Sequence, residues 1–223
     1  MTATENRAAA HAAGAAIYSK SVLSIYDLFV LGFSNRFAWR CPSRLIVDFY
    51  NEHVSGRHLD LGVGTGYFLD KCTFPAPHPH IALADLNPNS LEMAARRLRR
   101  YEPTTHVVNV LRPFWIKPAS FDSIAMNYLL HCLPGDLSDK SVVFQHVKPL
   151  LNRSGGVVFG TTILGKGVAH SPLARAFLLI YNAHGIFGNK RDSPRDLEQA
   201  LQAHYSDYQM HLVGSVAFFM GRT

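Results

Sequence analysis

Apolar residues follow two different spacings along this chain. In the N-terminal part they recur at helical intervals over residues 18–31, and a second helix is predicted from about Pro42, which suits a first helical turn, to His53. From residue 57 onward, short apolar runs typical of buried strands alternate with longer helical segments. The predicted strands of this region cover residues 57–61, 81–85, 106–110, 121–127 and 155–162.

Helical patterns separate and follow these strands. They cover residues 65–72, 88–101, 138–151, 172–187 and 194–204. Two further strand-like runs, 208–213 and 215–220, are joined through Gly214 and predict an antiparallel hairpin at the end of the chain. Because strands that alternate with helices favour a parallel sheet covered on both faces, the sequence predicts an α/β fold.

The change of pattern near residue 55 predicts the domain organisation. We expect a helical cap over residues 1–54, with roughly the first 15 residues flexible. One α/β domain over residues 55–223 is expected to follow it. The length of 223 residues suits this arrangement, since a chain of that size buries about 70% of its surface on folding.

Composition excludes several classes of protein. Apolar residues make up 48% of the chain and charged residues 17%, which excludes a disordered or fibrous protein. No apolar run approaches the roughly 18 residues of a transmembrane helix. A secretory signal requires a basic cluster before its apolar core, and no such cluster precedes the alanine-rich run at residues 8–16. The sequence therefore predicts a cytoplasmic protein with no membrane partner.

The charge balance leaves the class of partner open at first. The chain carries 22 basic and 16 acidic residues, a formal net charge of +6, which suits ordinary solubility as well as an anionic partner such as nucleic acid. One basic cluster, Arg96, Arg97, Arg99 and Arg100, lies near the end of a predicted helix, where cations complement the helix dipole. We therefore expect no nucleic-acid partner, and the oligomeric state stays open.

Cysteines and histidines do not form a pattern of metal ligands. Cys41, Cys72 and Cys132 are far apart and odd in number, and neither C-x-x-C nor H-E-x-x-H occurs. The close pair of His78 and His80 lies in a turn-rich segment that is more typical of a surface loop. We therefore expect neither a disulfide framework nor a metal site.

The strongest local motif is HLDLGVGTGY over residues 58–67. A predicted strand ends, Gly62, Gly64 and Gly66 follow, and a helix begins, which lets a ligand approach the backbone closely. A dinucleotide site would have the pattern G-x-G-x-x-G, but here the third glycine comes one residue early. Asp60, just before the loop, can receive an ammonium group and would lie unfavourably beside a pyrophosphate. The motif therefore favours a cationic ligand.

A second acidic residue, Asp85, ends the next predicted strand. An acid at that position can accept hydrogen bonds from both ribose hydroxyls of a nucleoside, and Leu86 can cover the adenine. The alternative is a structural role, in which Asp85 or Asn87 caps the helix that follows. The two acidic positions in register favour a nucleoside site.

Four segments, LDLGVGTGY, ADLNPNSLEMA, FDSIAMNYLLHCL and GGVVFGTTIL, occur in this order. On these segments, the chain from about residue 55 to its C-terminus resembles the class I S-adenosylmethionine-dependent methyltransferases. The resemblance implies a Rossmann-like, mostly parallel seven-stranded sheet of order 3-2-1-4-5-7-6. It also implies S-adenosyl-L-methionine as the cofactor and S-adenosyl-L-homocysteine as its product.

The resemblance further implies which residues bind the cofactor. Asp60 and the glycines would line the methionine and ribose side, and Asp85 would bind the ribose hydroxyls. Family members often place an acid after strand three, facing the adenine amino group, where this chain has Asn109. The full set implied for cofactor binding is Asp60, Gly62, Gly64, Gly66, Asp85, Leu86, Asn109, Val110 and Asn127. Tyr18 and Trp39 of the cap are candidates to close over the methionine end.

Catalytic residues are expected at the carboxyl ends of strands four and five and in the cap. His131, after strand four, is the candidate general base for a hydroxyl acceptor, because a histidine titrates near working pH. The alternative is a core or capping histidine, and His170 competes for the base role. The candidate acceptor-binding residues are Tyr26, His131, His170, Tyr181 and His184.

The predicted activity is methyl transfer by in-line displacement to a small-molecule acceptor. The segment VLGFSNRFAWRCPS resembles small methyltransferases of secondary metabolism, including those that act on polyketide hydroxyls such as pyrones. This resemblance implies a hydroxyl group of an aromatic or polyketide-like secondary metabolite as the target. The alternative is an N-directed RNA or protein methyltransferase, which the arginine cluster favours. Strand four ends in Asn127-Tyr-Leu-Leu, however, and lacks the family's amino-methylating signature of Asn or Asp, two prolines and an aromatic residue. A non-enzymatic module with the same fold is a third hypothesis, and the glycine spacing disfavours a nicotinamide oxidoreductase.

Overall fold

The computed structural model describes residues 27–117 and 119–223, and its central element is one sheet. Its strands are β1 (Arg57–Leu61), β2 (His80–Asp85), β3 (Thr104–Val107), β4 (Ser123–Asn127), β5 (Val157–Ile163), β6 (Asp207–Val213) and β7 (Val216–Arg222). Their order is β3-β2-β1-β4-β5-β7-β6, which confirms the order that the resemblance implied. Strands β1 to β5 run parallel, and β7 is antiparallel to both β5 and β6.

Helices connect the strands and cover the sheet. The α-helices are α1 (Ser43–His53), α2 (Tyr67–Lys71), α3 (Pro88–Arg97), α4 (Leu137–Lys140), α5 (Val142–Val147), α6 (Pro172–Ala183) and α7 (Pro194–His204). Short 3-10 turns cover Arg99–Tyr101, Leu130–Cys132 and Lys148–Leu150. A π-helical segment covers Asp27–Ala38.

Burial explains why the apolar runs form strands. Strands β4 and β5 are buried at every position, because helices cover both faces of the sheet. One core cluster includes Met126, Phe144 and Phe219, and the other includes Trp39 and Phe159. The parallel strands β1, β2 and β4 bring their carboxyl ends to one edge of the sheet, where the predicted site residues follow.

The third strand begins earlier than the prediction of 106–110. The N–H of Val108 still pairs with β2 by donating to the carbonyl of Asp85 at 3.0 Å, and the chain turns after it. Just beyond, the N–H of Leu111 donates to Oδ1 of Asn109 at 3.0 Å. A side chain that bonds its own backbone two residues on favours a turn over a strand.

The helix predicted over residues 138–151 is divided into α4, α5 and a 3-10 turn. At the first break, the hydroxyl of Ser141 donates to the carbonyl of Ser138 at 2.8 Å, a side-chain bond that competes with the helical backbone. The 3-10 turn that follows contains Pro149, which has no N–H to continue the helix.

The described part of the predicted cap begins at Asp27. Its π-helical segment packs against α1 and α6 and buries Ser34 and Asn35. Residues 1–26 lie outside the described residues, and with them Tyr18, Tyr26 and most of the helix predicted over 18–31. Within the part of the chain that the structure describes, no helix has both the length and the apolar composition needed to cross a membrane.

Candidate functional site

The glycine loop after β1 turns sharply into α2. Gly62, Gly64 and Gly66 all have positive φ angles, of 67°, 54° and 72°, which L side chains adopt only with strain. A Cβ on Gly66 would lie 3.1 Å from Cβ of Ala94, so this glycine also lets α3 pack closely. A Cβ on Gly64 would meet no atom within 4 Å, so the backbone there is open to a ligand.

Asp60 lies buried near the end of β1, 3% exposed. The hydroxyl of Tyr50, on α1, donates to its Oδ2 at 2.5 Å, and Nε2 of His58 lies 3.7 Å from the same oxygen. Burial, together with the charge of Asp60, raises the pKa of Tyr50 well above its ordinary value, so this tyrosine keeps its proton and remains a donor.

A small cavity opens beside Asp60. Its volume is about 50 Å³, far below the roughly 300 Å³ or more of typical small-molecule sites, so it has room for only one end of a ligand. Asn127 accepts a hydrogen bond from the Thr161 hydroxyl at 2.9 Å, while its Nδ2 is buried with no hydrogen-bond partner among the described residues. The lining consists of Tyr50, Asp60, residues 62–69, Asn127 and Tyr128.

Asp85 ends β2 next to the glycine loop. Its Oδ1 accepts a hydrogen bond from the N–H of Asn87 at 2.8 Å, and its Oδ2 accepts one from the N–H of Gly64 at 3.3 Å. Burial raises the pKa of Asp85 to about 6, although these two backbone donors favour the ionised form. Asn87 caps α3 by accepting from Asn89 at 2.9 Å, so the capped turn that was the alternative for this segment is also present.

Several residues implied for cofactor binding lie outside the cavity lining. Trp39 is 1% exposed and packs against Phe177 and Phe187, with ring centroids 6.1 and 6.0 Å away, and its predicted position over the methionine end stays a prediction. Val110 is buried in the core, and its carbonyl is 2.9 Å from Nδ1 of His146. The predicted contacts of Leu86 and Asn109 with adenine stay predictions.

His131 lies in the 3-10 turn after β4 and is buried. Burial lowers its pKa to about 3, and the charge of Lys140 adds to the effect, so the ring is neutral near pH 7. Its Nδ1 is 3.3 Å from the N–H of Ile163 and accepts that hydrogen bond, which leaves the ring proton on Nε2. A neutral ring with this tautomer favours a fixed structural group over the predicted general base.

An aromatic cluster lies beside His131, after the carboxyl ends of β4 and β5. The ring of Phe187 is 4.5 Å from that of His131, and Tyr181 packs 5.0 Å from Phe187 and 5.4 Å from Phe177. We call Phe177, Tyr181 and Phe187 the acceptor wall. All three are half-buried, and Tyr181 is the predicted acceptor residue that the structure brings there.

The other predicted acceptor residues lie apart from this cluster or outside the described chain. His170 has its Nε2 2.9 Å from the carbonyl of Leu164, which indicates a hydrogen bond to the backbone. His184 is exposed at the C-terminal end of α6. Of the described predicted histidines, only His131 therefore contacts the acceptor wall.

Three tyrosines of the cavity lining, Tyr50, Tyr67 and Tyr128, were not among the predicted site residues. Tyr50 belongs to α1, which the sequence predicted only as a helix. Tyr128 has a φ of 57°, which is rare for a bulky residue, and its hydroxyl donates to Oδ1 of Asn35 at 3.0 Å. This bond joins the end of β4 to the π-helical segment of the cap, and nothing in the sequence pattern indicated it.

Known proteins are similar to this chain in sequence and in fold. Residues 59–158 match the family described as a methyltransferase domain. The chain is 40% identical to demethylluteothin O-methyltransferase from Streptomyces thioluteus, over 94% of this chain and 91% of the relative. It is 38% identical to the physcion biosynthesis cluster O-methyltransferase of Aspergillus chevalieri, over 92% of this chain and 93% of the relative.

The fold is similar to that of the solved DhpI–SAH complex, with a TM-score of 0.66 at 14% identity, over 94% of this chain and 95% of that one. The 40% identity over nearly the full length of a named relative is much stronger evidence of family membership than this likeness of fold. It shows that the chain belongs to the class I S-adenosylmethionine-dependent methyltransferases and is an enzyme that transfers methyl groups.

Proposed function

We propose that this enzyme transfers the methyl group of S-adenosyl-L-methionine to a hydroxyl group of a small acceptor of the aromatic or polyketide-like kind. The observation that carries this proposal is the similarity along nearly the whole chain to two O-methyltransferases, one named for demethylluteothin and one for physcion biosynthesis. A fold does not determine which acceptor an enzyme uses, so the residues of the site have to suit the acceptor as well.

The cavity beside Asp60 suits the methionine end of the cofactor. A cation stabilises a buried carboxylate such as that of Asp60. The small cavity beside it suits a small charged group such as the amino-acid end of the cofactor. The buried Nδ2 of Asn127, without a partner in the described chain, offers a donor to a carboxylate. The residues present therefore fit the cofactor's amino-acid group.

The adenosine part would extend past Gly64 toward Asp85. The backbone of Gly64 is open to a ligand, and Asp85 is held by the same glycine's N–H. A carboxylate at the end of the second strand of such a sheet can accept hydrogen bonds from ribose hydroxyls. Asp60 and Asp85 would thus bind the two ends of one molecule.

When bound, the cofactor supplies a methyl group on a sulfonium, which is already activated for displacement. The chain's own contribution is to hold and orient the two reactants and to exclude water from them. His131 is neutral with its proton on Nε2, and its ring packs against Phe187. In our proposal it fixes Phe187 in the acceptor wall and does not remove a proton. The acidic hydroxyl of a phenol or enol gives its proton to solvent and the acceptor binds as its anion.

The acceptor wall suits a flat, apolar molecule. Phe177, Tyr181 and Phe187 offer aromatic faces and edges, which bind aromatic partners in stacked and edge-to-face geometries. In the arginine cluster, Arg100 is paired with Asp70 at 2.7 Å, and Arg97 donates to Thr65 at 3.1 Å. These intramolecular bonds give the cluster a structural role and weaken the case for an RNA acceptor.

Incubation with methyl-labelled S-adenosyl-L-methionine and a panel of phenols, enols, amines and RNA tests the proposal. We expect label on phenols or enols, with mass spectrometry placing the methyl group on oxygen. Label on amines alone, or on RNA with a steep decrease as ionic strength rises, would contradict the proposal and support the N-directed alternative.

A further inference from the structure

Two residues outside the glycine loop contact the same oxygen of Asp60. We propose that Tyr50 and His58 are positioning residues that hold the Asp60 carboxylate in place for the amino group of the cofactor. The inference rests on the proposed function, since that function assigns the ammonium end to the cavity beside Asp60. It adds a buried pair of residues, Tyr50 and His58, that contact the carboxylate and that we call the brace.

Tyr50 supplies the stronger contact of the brace. Its side chain is 1% exposed, and its ring stacks on Phe68 with centroids 5.8 Å apart, so the hydroxyl has a fixed position. The hydroxyl donates to Oδ2 of Asp60 at 2.5 Å. Hydrogen bonds to charged groups are shorter and stronger than neutral ones, as this one is.

His58 supplies the second contact. Its side chain is fully buried, and its Nε2 lies 3.7 Å from Oδ2 of Asp60, beyond hydrogen-bond distance but close enough for electrostatic attraction. Nε2 has no hydrogen-bond partner among the described residues. The Asp60 carboxylate is therefore the charged group that faces this nitrogen.

A serine below the ring is consistent with the same assignment. Nδ1 of His58 is 2.7 Å from the hydroxyl oxygen of Ser123, which accepts a hydrogen bond from the N–H of Ser55 at 2.9 Å. The Ser123 hydroxyl oxygen is also 2.7 Å from that of Ser55. When the Ser55 hydroxyl donates to Ser123, the Ser123 hydroxyl donates to Nδ1 and the ring hydrogen is on Nε2, facing Asp60. The other tautomer would bury a bare ring nitrogen against a carboxylate oxygen, an arrangement that costs free energy.

Both contacts fall on Oδ2 of Asp60. Neither residue contacts Oδ1, so in our proposal Oδ1 is the oxygen that receives the ammonium group of the ligand. A carboxylate that is already oriented binds an ammonium group without the cost of ordering it first. The brace therefore raises affinity for ligands that carry the amino-acid group and for no others.

Binding of two ligands to matched variants tests this inference. S-adenosyl-L-homocysteine carries the amino-acid group, whereas 5′-methylthioadenosine is the same nucleoside thioether without it. We expect Tyr50→Phe and His58→Leu each to weaken S-adenosyl-L-homocysteine binding about tenfold and to leave 5′-methylthioadenosine binding unchanged. His58→Gln, which restores an N–H near Nε2, should recover part of the loss.

Tyr205→Phe is the matched control, because Tyr205 is buried in the other core cluster and its hydroxyl has no hydrogen-bond partner in the described structure. This variant should bind both ligands as the wild type does. Equal losses for both ligands in Tyr50→Phe and His58→Leu, or no loss for either, would overturn the inference. If the wild type binds neither ligand, the proposed function fails first, and the inference fails with it.

Discussion

The backbone N–H of Gly64 donates a 3.3 Å hydrogen bond to Oδ2 of Asp85. This bond joins the glycine loop after β1 to the acidic end of β2. The two parts of the proposed cofactor site are thus held together by the chain itself, before any ligand contributes. Such preorganisation lowers the ordering cost of binding.

The pKa of Asp85 predicts how cofactor affinity depends on pH. Burial raises this pKa to about 6, and only the ionised carboxylate accepts hydrogen bonds at both oxygens. Affinity for S-adenosyl-L-homocysteine should therefore be constant above about pH 7 and fall by up to tenfold per unit as the pH drops below 6. Calorimetric titrations between pH 5 and 8 measure this.

Asp85→Asn is the control for that titration. Its side chain does not titrate, so its affinity should be weaker at pH 8 and independent of pH over the same range. A wild-type affinity that stays flat down to pH 5, or a variant with the same pH dependence as the wild type, would contradict the role given to Asp85.

Glycine substitutions should separate folding from binding. Gly66→Ala forces a positive φ and places a Cβ 3.1 Å from Ala94, so we expect it to lower the free energy of unfolding by about 2–3 kcal/mol. Gly64→Ala carries the same kind of backbone strain but meets no atom within 4 Å, so it should cost only about 1–2 kcal/mol. Urea unfolding measures both.

In binding, the expected order of the two variants is reversed. The added methyl group of Gly64→Ala lies where the backbone is open to a ligand, so the folded variant should bind S-adenosyl-L-homocysteine much more weakly than folded Gly66→Ala does. Equal binding by Gly64→Ala and the wild type would show that the ligand does not approach this glycine.

A fully buried ion pair should stabilise the segment that carries the acceptor wall. Nζ of Lys140 lies 2.6 Å from Oδ2 of Asp192, with both side chains unexposed, and it also donates to the Gly188 carbonyl at 3.1 Å. Lys140→Met leaves a buried carboxylate without its partner, so we expect a loss of about 3–5 kcal/mol in unfolding free energy. The double variant Lys140→Met/Asp192→Leu should recover most of that loss.

An exposed pair of the same residue types is the control. Lys166 and Asp196 are 3.9 Å apart and more than a third exposed, so Lys166→Met should cost less than about 1 kcal/mol. If the double variant is as unstable as Lys140→Met, the loss comes from packing and not from the unpaired charge.

The protonation state of His131 predicts the pH profile of turnover. With a pKa near 3, the ring stays neutral, so kcat/KM for the acceptor at saturating donor should show no inflection from His131 between pH 5 and 8. His131→Asn can keep an acceptor for the Ile163 N–H and should give a profile of the same shape. An inflection near pH 6.5 that disappears in the variant would restore the general-base role.

Much of the fold follows from local patterns in the sequence. Residues 57–61 form β1 and residues 194–204 form α7, each with the predicted bounds. Buried apolar positions specify both elements locally, and the capping residue Ser193 fixes the start of the helix. The predictions of the third strand and of the helix over 138–151 were less accurate. Side chains such as Asn109 and Ser141 form hydrogen bonds with the backbone there and interrupt the regular structure.

Some residues of the site could likewise be predicted from local sequence, and others could not. The glycines and the two acidic residues could be predicted, because a sharp turn and an ammonium or ribose partner each require particular residue types. Tyr50 and Tyr128 could not, since their roles depend on contacts between distant segments, with Asp60 and Asn35. The state of His131 was equally hidden, because burial and a backbone donor set it.

A crystal structure of the complex with S-adenosyl-L-homocysteine tests the central claim most directly. We expect the amino group within about 3 Å of Asp60 and the ribose hydroxyls within about 3 Å of Asp85, with the nucleoside lying along Gly64. A ligand bound elsewhere on the chain, or bound here with its ribose away from Asp85, would contradict it.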